Sequence, residues 1–166
     1  MSERKQNKKI DKRAPVIVGV GDLVDRSKED GLNPQELLAK ACELAIQDSG
    51  IRELNKHIDY VGVVRFTVDF LTATNQSNFQ YSNFPRTLAN KLNVSAKNEV
   101  YAPMGGNSPQ VLLEDALVKI STGETDCALL SGGEALQTMI AKLKAGMSLD
   151  WLDEPGGSPE MIGNND

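Results

Sequence analysis

The stretch Met104-Gly105-Gly106-Asn107-Ser108-Pro109 stands between a brief extended piece, residues 98–101, and a long apolar helical pattern. That pattern runs through Val111, Leu112, Leu113, Ala116, Leu117, Val118 and Ile120, and Gly123 stops it. These positions fill more than one stripe, which predicts a helix buried on most of its surface. In open α/β sheets, ligands gather where strands end and helices begin. Two adjacent glycines at such a place let backbone N–H groups crowd together, and the helix N-terminus adds positive partial charge. The turn therefore suits a developing oxyanion or an activated nucleophile. The plainer alternative is a glycine turn in which Ser108 caps the helix and Pro109 takes its first position.

Outward from this turn, strand and helix patterns alternate. Val16-Ile17-Val18-Gly19-Val20 is a β-branched run after a proline and predicts a buried strand. Asn33-Pro34 starts a helix with Leu37, Leu38, Ala41, Leu44 and Ala45 at helical spacing, and Gly50 ends it. Tyr60-Val61-Gly62-Val63-Val64 predicts a second strand, residues 72–83 a polar loop, and Pro85 through Leu92 a short helix. Residues 127–130 predict another buried strand and residues 135–145 a further helix, with Pro and Gly at 155–157 closing the ordered part. The alternation predicts an α/β fold: a mostly parallel sheet with helices on both faces.

Composition narrows the function classes. A chain of 166 residues with 40% hydrophobic and 25% charged residues suits a soluble domain with a sizeable core. No apolar run approaches the roughly 20 residues of a membrane span. A net charge of −5 gives no reason to expect nucleic acid as a partner. Six basic side chains (Arg4, Lys5, Lys8, Lys9, Lys12, Arg13) crowd into residues 1–13, read as a disordered basic leader. Residues 146–166 hold five acids and neither Lys nor Arg, read as an acidic flexible tail. The leader lacks the apolar region of a secretory signal, and the last four residues match no peroxisomal or retention signal, so a cytoplasmic location is expected. Cys42 and Cys127 sit in apolar patterns as free thiols. With no CxxC and a single histidine, His57, no zinc site can be assembled from Cys and His.

The segment from Val100 to Glu134 resembles the nucleophile helix and following strand of thiolases. The matching pieces are Gly105-Gly106-Asn107-Ser108-Pro109-Gln110, Ile120-Ser121-Thr122-Gly123-Glu124-Thr125-Asp126, and Ala128-Leu129-Leu130-Ser131-Gly132-Gly133-Glu134-Ala135. Pro15-Val16-Ile17-Val18-Gly19-Val20-Gly21 resembles the family's first strand, and residues 41–50 its first helix. The resemblance covers most of residues 14–140 in order. Its Gly-Gly-Asn-Ser-Pro-Gln form is most similar to the acetyl-CoA acetyltransferase-like, sterol-carrier-protein-type branch. It implies a partial N-terminal thiolase-like domain over residues 14–145. It further implies acyl-CoA thioesters as the substrate of full-length relatives, by acyl transfer or Claisen chemistry in lipid metabolism, with no tightly bound cofactor. A homodimer is also implied, residues 98–101 pairing across a twofold axis.

One departure bears on the chemistry. Where thiolases carry the acyl-accepting cysteine, this chain offers Met104, Gly105 and Gly106. A thiolate attacks far better than any group in this loop, and Cys42 and Cys127 belong to other elements. No catalytic residue is assigned; Gly105, Gly106, Asn107 and Ser108 occupy the nucleophile-loop position, and Ser108 reads as a helix cap rather than an acyl acceptor. The family's histidines and second cysteine come from its later half, whereas His57 lies in a polar stretch and is expected to be exposed. The chain is therefore expected to be the N-terminal portion of a thiolase-like acyltransferase, inactive alone and truncated. Its competitor is a non-catalytic module that binds acyl-CoA or a protein.

Several single residues have two readings. Glu134 is a polar anchor near the active-site base, as the resemblance implies, or a helix N-terminal acid favoured by the dipole. Trp151, with Leu149 and Leu152, packs against a missing domain or forms an exposed patch. The apolar helix over 111–120 expects cover on both sides, and without it apolar surface stays open to solvent. Val18-Gly19-Val20-Gly21 lacks the third glycine of a dinucleotide loop, since position 24 is Val24. Gly106-Asn107-Ser108-Pro109-Gln110 lacks the final glycine of a hydrolase elbow.

Overall fold

Strand β1 (Tyr60–Val64) is the strand around which the chain is organised. The computed structural model describes residues 11–67, 69, 81–151 and 153–163. Strand β2 (Asn98–Ala102) lies parallel to β1 on one side, with Tyr60 opposite Asn98 and Val64 opposite Ala102. Strand β3 (Ala128–Ser131) lies parallel on the other side, with Tyr60 opposite Ala128. A two-residue strand, β4 (Glu160–Met161), adds to the outer side of β2, giving the order β3-β1-β2-β4. Every pairing is parallel, as intervening helices require.

Period-two alternation sends the strand side chains to opposite faces. Val61, Val63, Tyr101 and Leu129 face one core with Leu38 and Cys42 of α1 (Pro34–Asp48), Phe84 and Leu88 of α2 (Phe84–Lys91), and Met139 of α4 (Leu136–Lys144). Tyr60, Val100 and Ala102 face the other, meeting Leu112 and Ala116 of α3 (Ser108–Thr122). Helices thus cover both faces, as the sequence predicts. Gly62 lets α3 seat directly on β1: a Cβ there would fall 2.7 Å from Leu112 Cδ1 and 2.8 Å from Tyr60 Cε1.

Local sequence explains the ends. The Asn33 side chain accepts the Glu36 N–H at 2.8 Å while the Glu36 carboxylate accepts the Asn33 N–H at 3.2 Å, a reciprocal cap with Pro34 behind it. Gly123 ends α3 at φ 82°, in the left-handed region. The buried carboxylate of Asp59 accepts the N–H groups of Asp126 and Cys127, each at 3.1 Å, and meets Lys97 at 3.3 Å. One side chain thereby fixes where β3 begins relative to β1.

Five expectations are corrected. The Val16-Ile17-Val18-Gly19-Val20 run is not a strand; its large residues are exposed, Ile17 at 79%. It lies against α1 instead: a Cβ on Gly19 or Gly21 would collide with the carbonyls of Ala45 and Ala41, and the Val20 N–H donates to Asp48 at 2.9 Å. Close seating on a helix and a side-chain acceptor thus replace ladder pairing. Helix α3 is buried along one stripe only, Ser108, Leu112, Ala116 and Lys119, while Leu113, Leu117 and Val118 are 38%, 36% and 59% exposed. A single sheet layer covers it among the described residues. The strand over 128–131 is an edge strand and only Leu129 in it is fully buried. The ordered part does not close at 155–157, because β4 follows it, and Trp151, only 3% exposed, is a core residue rather than a surface patch. Residues 1–10 of the leader, residues 72–80 of the polar loop, Leu152, Asn164, Asn165 and Asp166 lie outside the described residues.

Candidate functional site

All four parallel strands point their carboxyl ends to the same edge of the sheet, where β1 gives way to Arg65, β2 to Pro103 and β3 to Gly132. The turn 103–107 rises from β2, an inner strand, and enters α3. The Ser108 N–H donates to the Gly105 carbonyl at 3.2 Å, closing the turn, and the Gln110 and Val111 N–H groups go to the Asn107 carbonyl. The amides of Gly105, Gly106 and Asn107 reach no acceptor among the described residues. Gly105, Gly106 and Asn107 are all exposed, and a Cβ on Gly106 would meet nothing within 4 Å. Three free N–H groups at the N-terminus of a 15-residue helix form an electropositive, sterically open rim.

Ser108 does not cap the helix. Asn107 holds the cap position in a helical conformation, its side chain makes no capping bond, and Ser108 is the first helical residue, 1% exposed. Its hydroxyl lies 3.1 Å from where a Gly105 Cβ would be, so the glycine makes room for it. A hydroxyl shut inside the turn is poorly placed for attack on a thioester. His57 is exposed, at the end of the short turn Leu54–Lys56 before β1, and so at the amino edge of the sheet. A five-residue strand spans about 16 Å, which separates His57 from the turn.

Neither thiol reaches the turn. Cys42 is buried in α1; burial pushes its pKa up, with Ser131 nearby only partly opposing this. Cys127 precedes β3 at the amino edge, and burial, then the Asp59 and Asp126 carboxylates, push its thiol up. Raised thiols carry less thiolate at neutral pH, the opposite of what a nucleophile needs.

Glu134 joins two strand ends. Its carboxylate accepts the Thr67 N–H, beyond β1, at 2.8 Å and the Ala135 N–H at 3.1 Å. It acts as an anchor as well as an acid ahead of α4. Beside it opens a cavity of about 310 Å³, whose walls include Asp22, Leu37, Leu38, Gly133 and Thr138; residues 104–108 do not line it.

Sequence reading missed a second cluster on this edge. The Arg65 guanidinium lies 4.8 Å over the Tyr101 ring, and its Nε is 3.2 Å from Asp69, an ion pair not aligned as a hydrogen bond. The Tyr101 hydroxyl donates to Asp69 at 2.9 Å. Burial raises the Asp69 pKa, with Tyr101 and Arg65 opposing it, and burial together with Asp69 holds the Tyr101 hydroxyl far above its usual range. Only the four-residue spacing of Arg65 and Asp69 could have signalled the pair.

Among the described residues, no group of three or more His, Cys, Asp or Glu is placed to hold a metal, and no helix is long and apolar enough to cross a membrane. No protein-family model matches the sequence, and no curated protein matches it significantly. Among solved structures the chain is similar to a monomeric SCP2-thiolase like protein type 1 from Mycobacterium smegmatis, at 31% identity and a TM-score of 0.57. The match covers 75% of this chain and 24% of that one, so the chain spans about a quarter of its relative's length. A parallel sheet with helices on both faces, a glycine turn at the head of α3 and this likeness together give the chain a thiolase-like fold of the SCP2 type.

Proposed function

We propose that this chain is part of a thiolase-like protein that binds an acyl-CoA thioester at the turn 104–107 without forming a covalent acyl-enzyme there. The observation that carries the reading is the set of three free, exposed amides of Gly105, Gly106 and Asn107, with no accessible nucleophile beside them. Such amides polarise a carbonyl or hold a carboxylate-like oxygen. Covalent acyl transfer needs a thiolate or an activated hydroxyl, and the two thiols belong to other elements while the Ser108 hydroxyl is buried within the turn. The second reading, acyl transfer of the acetyl-CoA acetyltransferase kind, is favoured by the likeness to an SCP2-thiolase like protein, and takes its acid and base from groups beyond the described residues.

Equilibrium dialysis with acetyl-CoA tests the proposal. Gly106→Leu fills open space, so it should weaken binding by about tenfold or more, ~1.4 kcal/mol, at an unchanged thermal midpoint. Intact-mass analysis after incubation with acetyl-CoA distinguishes the readings: a retained acetyl group on Ser108 favours acyl transfer. Absence of any acetyl-CoA binding sinks both for this chain.

A further inference from the structure

We propose that the cavity of about 310 Å³ beside Glu134 binds a small organic ammonium ion, a primary amine with an apolar body of roughly ten non-hydrogen atoms. The cavity opens where the loop 21–25, the first turns of α1 and the head of α4 meet beyond the end of β3. Residues 104–108 do not line it, so it can fill whether or not acyl-CoA binds at the turn.

Shape and charge select the ligand class together. An apolar cavity of about 150 Å³ takes one benzene ring, and twice that space admits a ring with a short aminoalkyl arm. Leu23, Leu32, Leu37 and Leu38 supply the apolar wall for such a body. Three carboxylates, those of Asp22, Asp25 and Glu134, line the same space, and among the described residues no Lys, Arg or His does. The head of α4 adds about half a positive charge, less than any one of these acids removes. A cation is therefore favoured over an anion. Among the described residues no three acids, thiols or imidazoles converge closely enough to hold a metal, so the charge has to arrive on an organic body.

The polar groups differ in what they have left to offer. Asp25 accepts the Ser27 N–H at 2.9 Å and the Leu32 N–H at 2.7 Å, which hold its carboxyl below the usual range and fix the wall. Glu134 is engaged by Thr67 and Ala135. Asp22 is exposed and makes no hydrogen bond or ion pair among the described residues. Thr138, in the first turn of α4, is 6% exposed, yet its hydroxyl on the cavity wall has no partner among the described residues either. Gly31 leaves room beside that hydroxyl, since a Cβ there would stand 2.5 Å from it. A buried hydroxyl without a partner is uncommon and unfavourable. An ammonium satisfies both groups: Asp22 supplies the opposite charge, and the Thr138 hydroxyl accepts one N–H.

Titration of the full chain with 2-phenylethylamine, followed by amide NMR, tests this. The amine should shift the amides of Leu32, Gly133 and Thr138 with a dissociation constant of about 1 mM or tighter. Its neutral and anionic counterparts, 2-phenylethanol and phenylacetate, should bind about tenfold or more weakly. Asp22→Asn should weaken amine binding about fivefold and leave 2-phenylethanol binding unchanged, and Thr138→Val should weaken amine binding about threefold. No shift at those amides by about 10 mM amine, equal binding of the three compounds, or an Asp22→Asn variant that binds the amine as well as the unaltered chain would each overturn the proposal. So would shifts centred on Asp153 and Glu154, which report only the general attraction of a chain of net charge −5 for cations. Should Thr138→Val unfold, Asp22→Asn, altered at an exposed side chain, decides alone.

Discussion

The Glu134 carboxylate accepts the Thr67 N–H at 2.8 Å across 67 residues of chain, fastening the turn after β3 to the segment leaving β1. Nothing else described ties these two carboxyl-edge loops so directly. Glu134→Ala should cost about 1 kcal/mol in denaturant-derived stability, the value of one such bond at an exposed site. Glu134→Gln, which keeps an acceptor, should cost less. Equal losses for the two would show that the bond is not what matters.

Gly62 makes the opposite kind of prediction, since it works by having no side chain. A Cβ would lie 2.7 Å from Leu112 Cδ1, so Gly62→Ala must push α3 off the sheet. Overpacking of this sort costs about 1–3 kcal/mol. Hydrogen exchange should speed up across α3 before it does in α1.

Asp59 and Lys97 separate a buried charge from its exposed partner. Asp59→Ala removes the acceptor of two part-buried amides, those of Asp126 and Cys127, and should destabilise by about 2 kcal/mol. Lys97 is 71% exposed, and Lys97→Ala should change stability by less than about 1 kcal/mol. Chemical denaturation of both variants measures the contrast, and similar costs would contradict it.

The fold was legible where one local signal agreed with its surroundings. Asn33-Pro34, Tyr60-Val61-Gly62-Val63-Val64 and Gly123 each carried both a pattern and a stop, and the structure places elements there. The Val16–Val20 pattern looked equally good, but its partner was a helix, and the glycines that permit that contact read as ordinary strand residues. For the site, the turn 104–107 could be located from its glycines, whereas the burial of Ser108 depends on how tightly the turn closes. The spacing of Arg65 and Asp69 gave only a weak signal because Tyr101, which completes their cluster, comes from a strand distant in sequence.

Asp69 makes stability depend on pH in a direction unlike most carboxylates. Its pKa is raised in the folded chain, so the folded state binds a proton more readily than the unfolded one. Stability from this group therefore increases on acidification from the raised value down to the ordinary carboxylate range, and is lost as pH climbs. Asp69→Asn should flatten that part of the profile. Thermal unfolding of both proteins from mild acid to neutral pH checks it; a wild-type profile that falls on mild acidification relative to the variant would refute it.

The two thiols should differ in rate. Cys127 is half-buried and Cys42 buried, and both are pushed up in pKa. Alkylation at neutral pH followed by peptide mass analysis should label Cys127 first and both more slowly than free cysteine. Faster labelling of Cys42 would point to opening of α1.

The parallel arrangement has a consequence for how the chain comes together. Tyr60 of β1 meets Asn98 of β2 and Ala128 of β3, so no strand can find its neighbour until a long intervening stretch has been made. Contacts so distant along the chain slow the search. On the ribosome β1 must wait with both flanks bare until β2 has been synthesised, and with one flank bare until α3 has followed and Asp59 can seize the amides that start β3. Factors that shield bare strands during synthesis should therefore raise the yield of this chain more than factors acting after release.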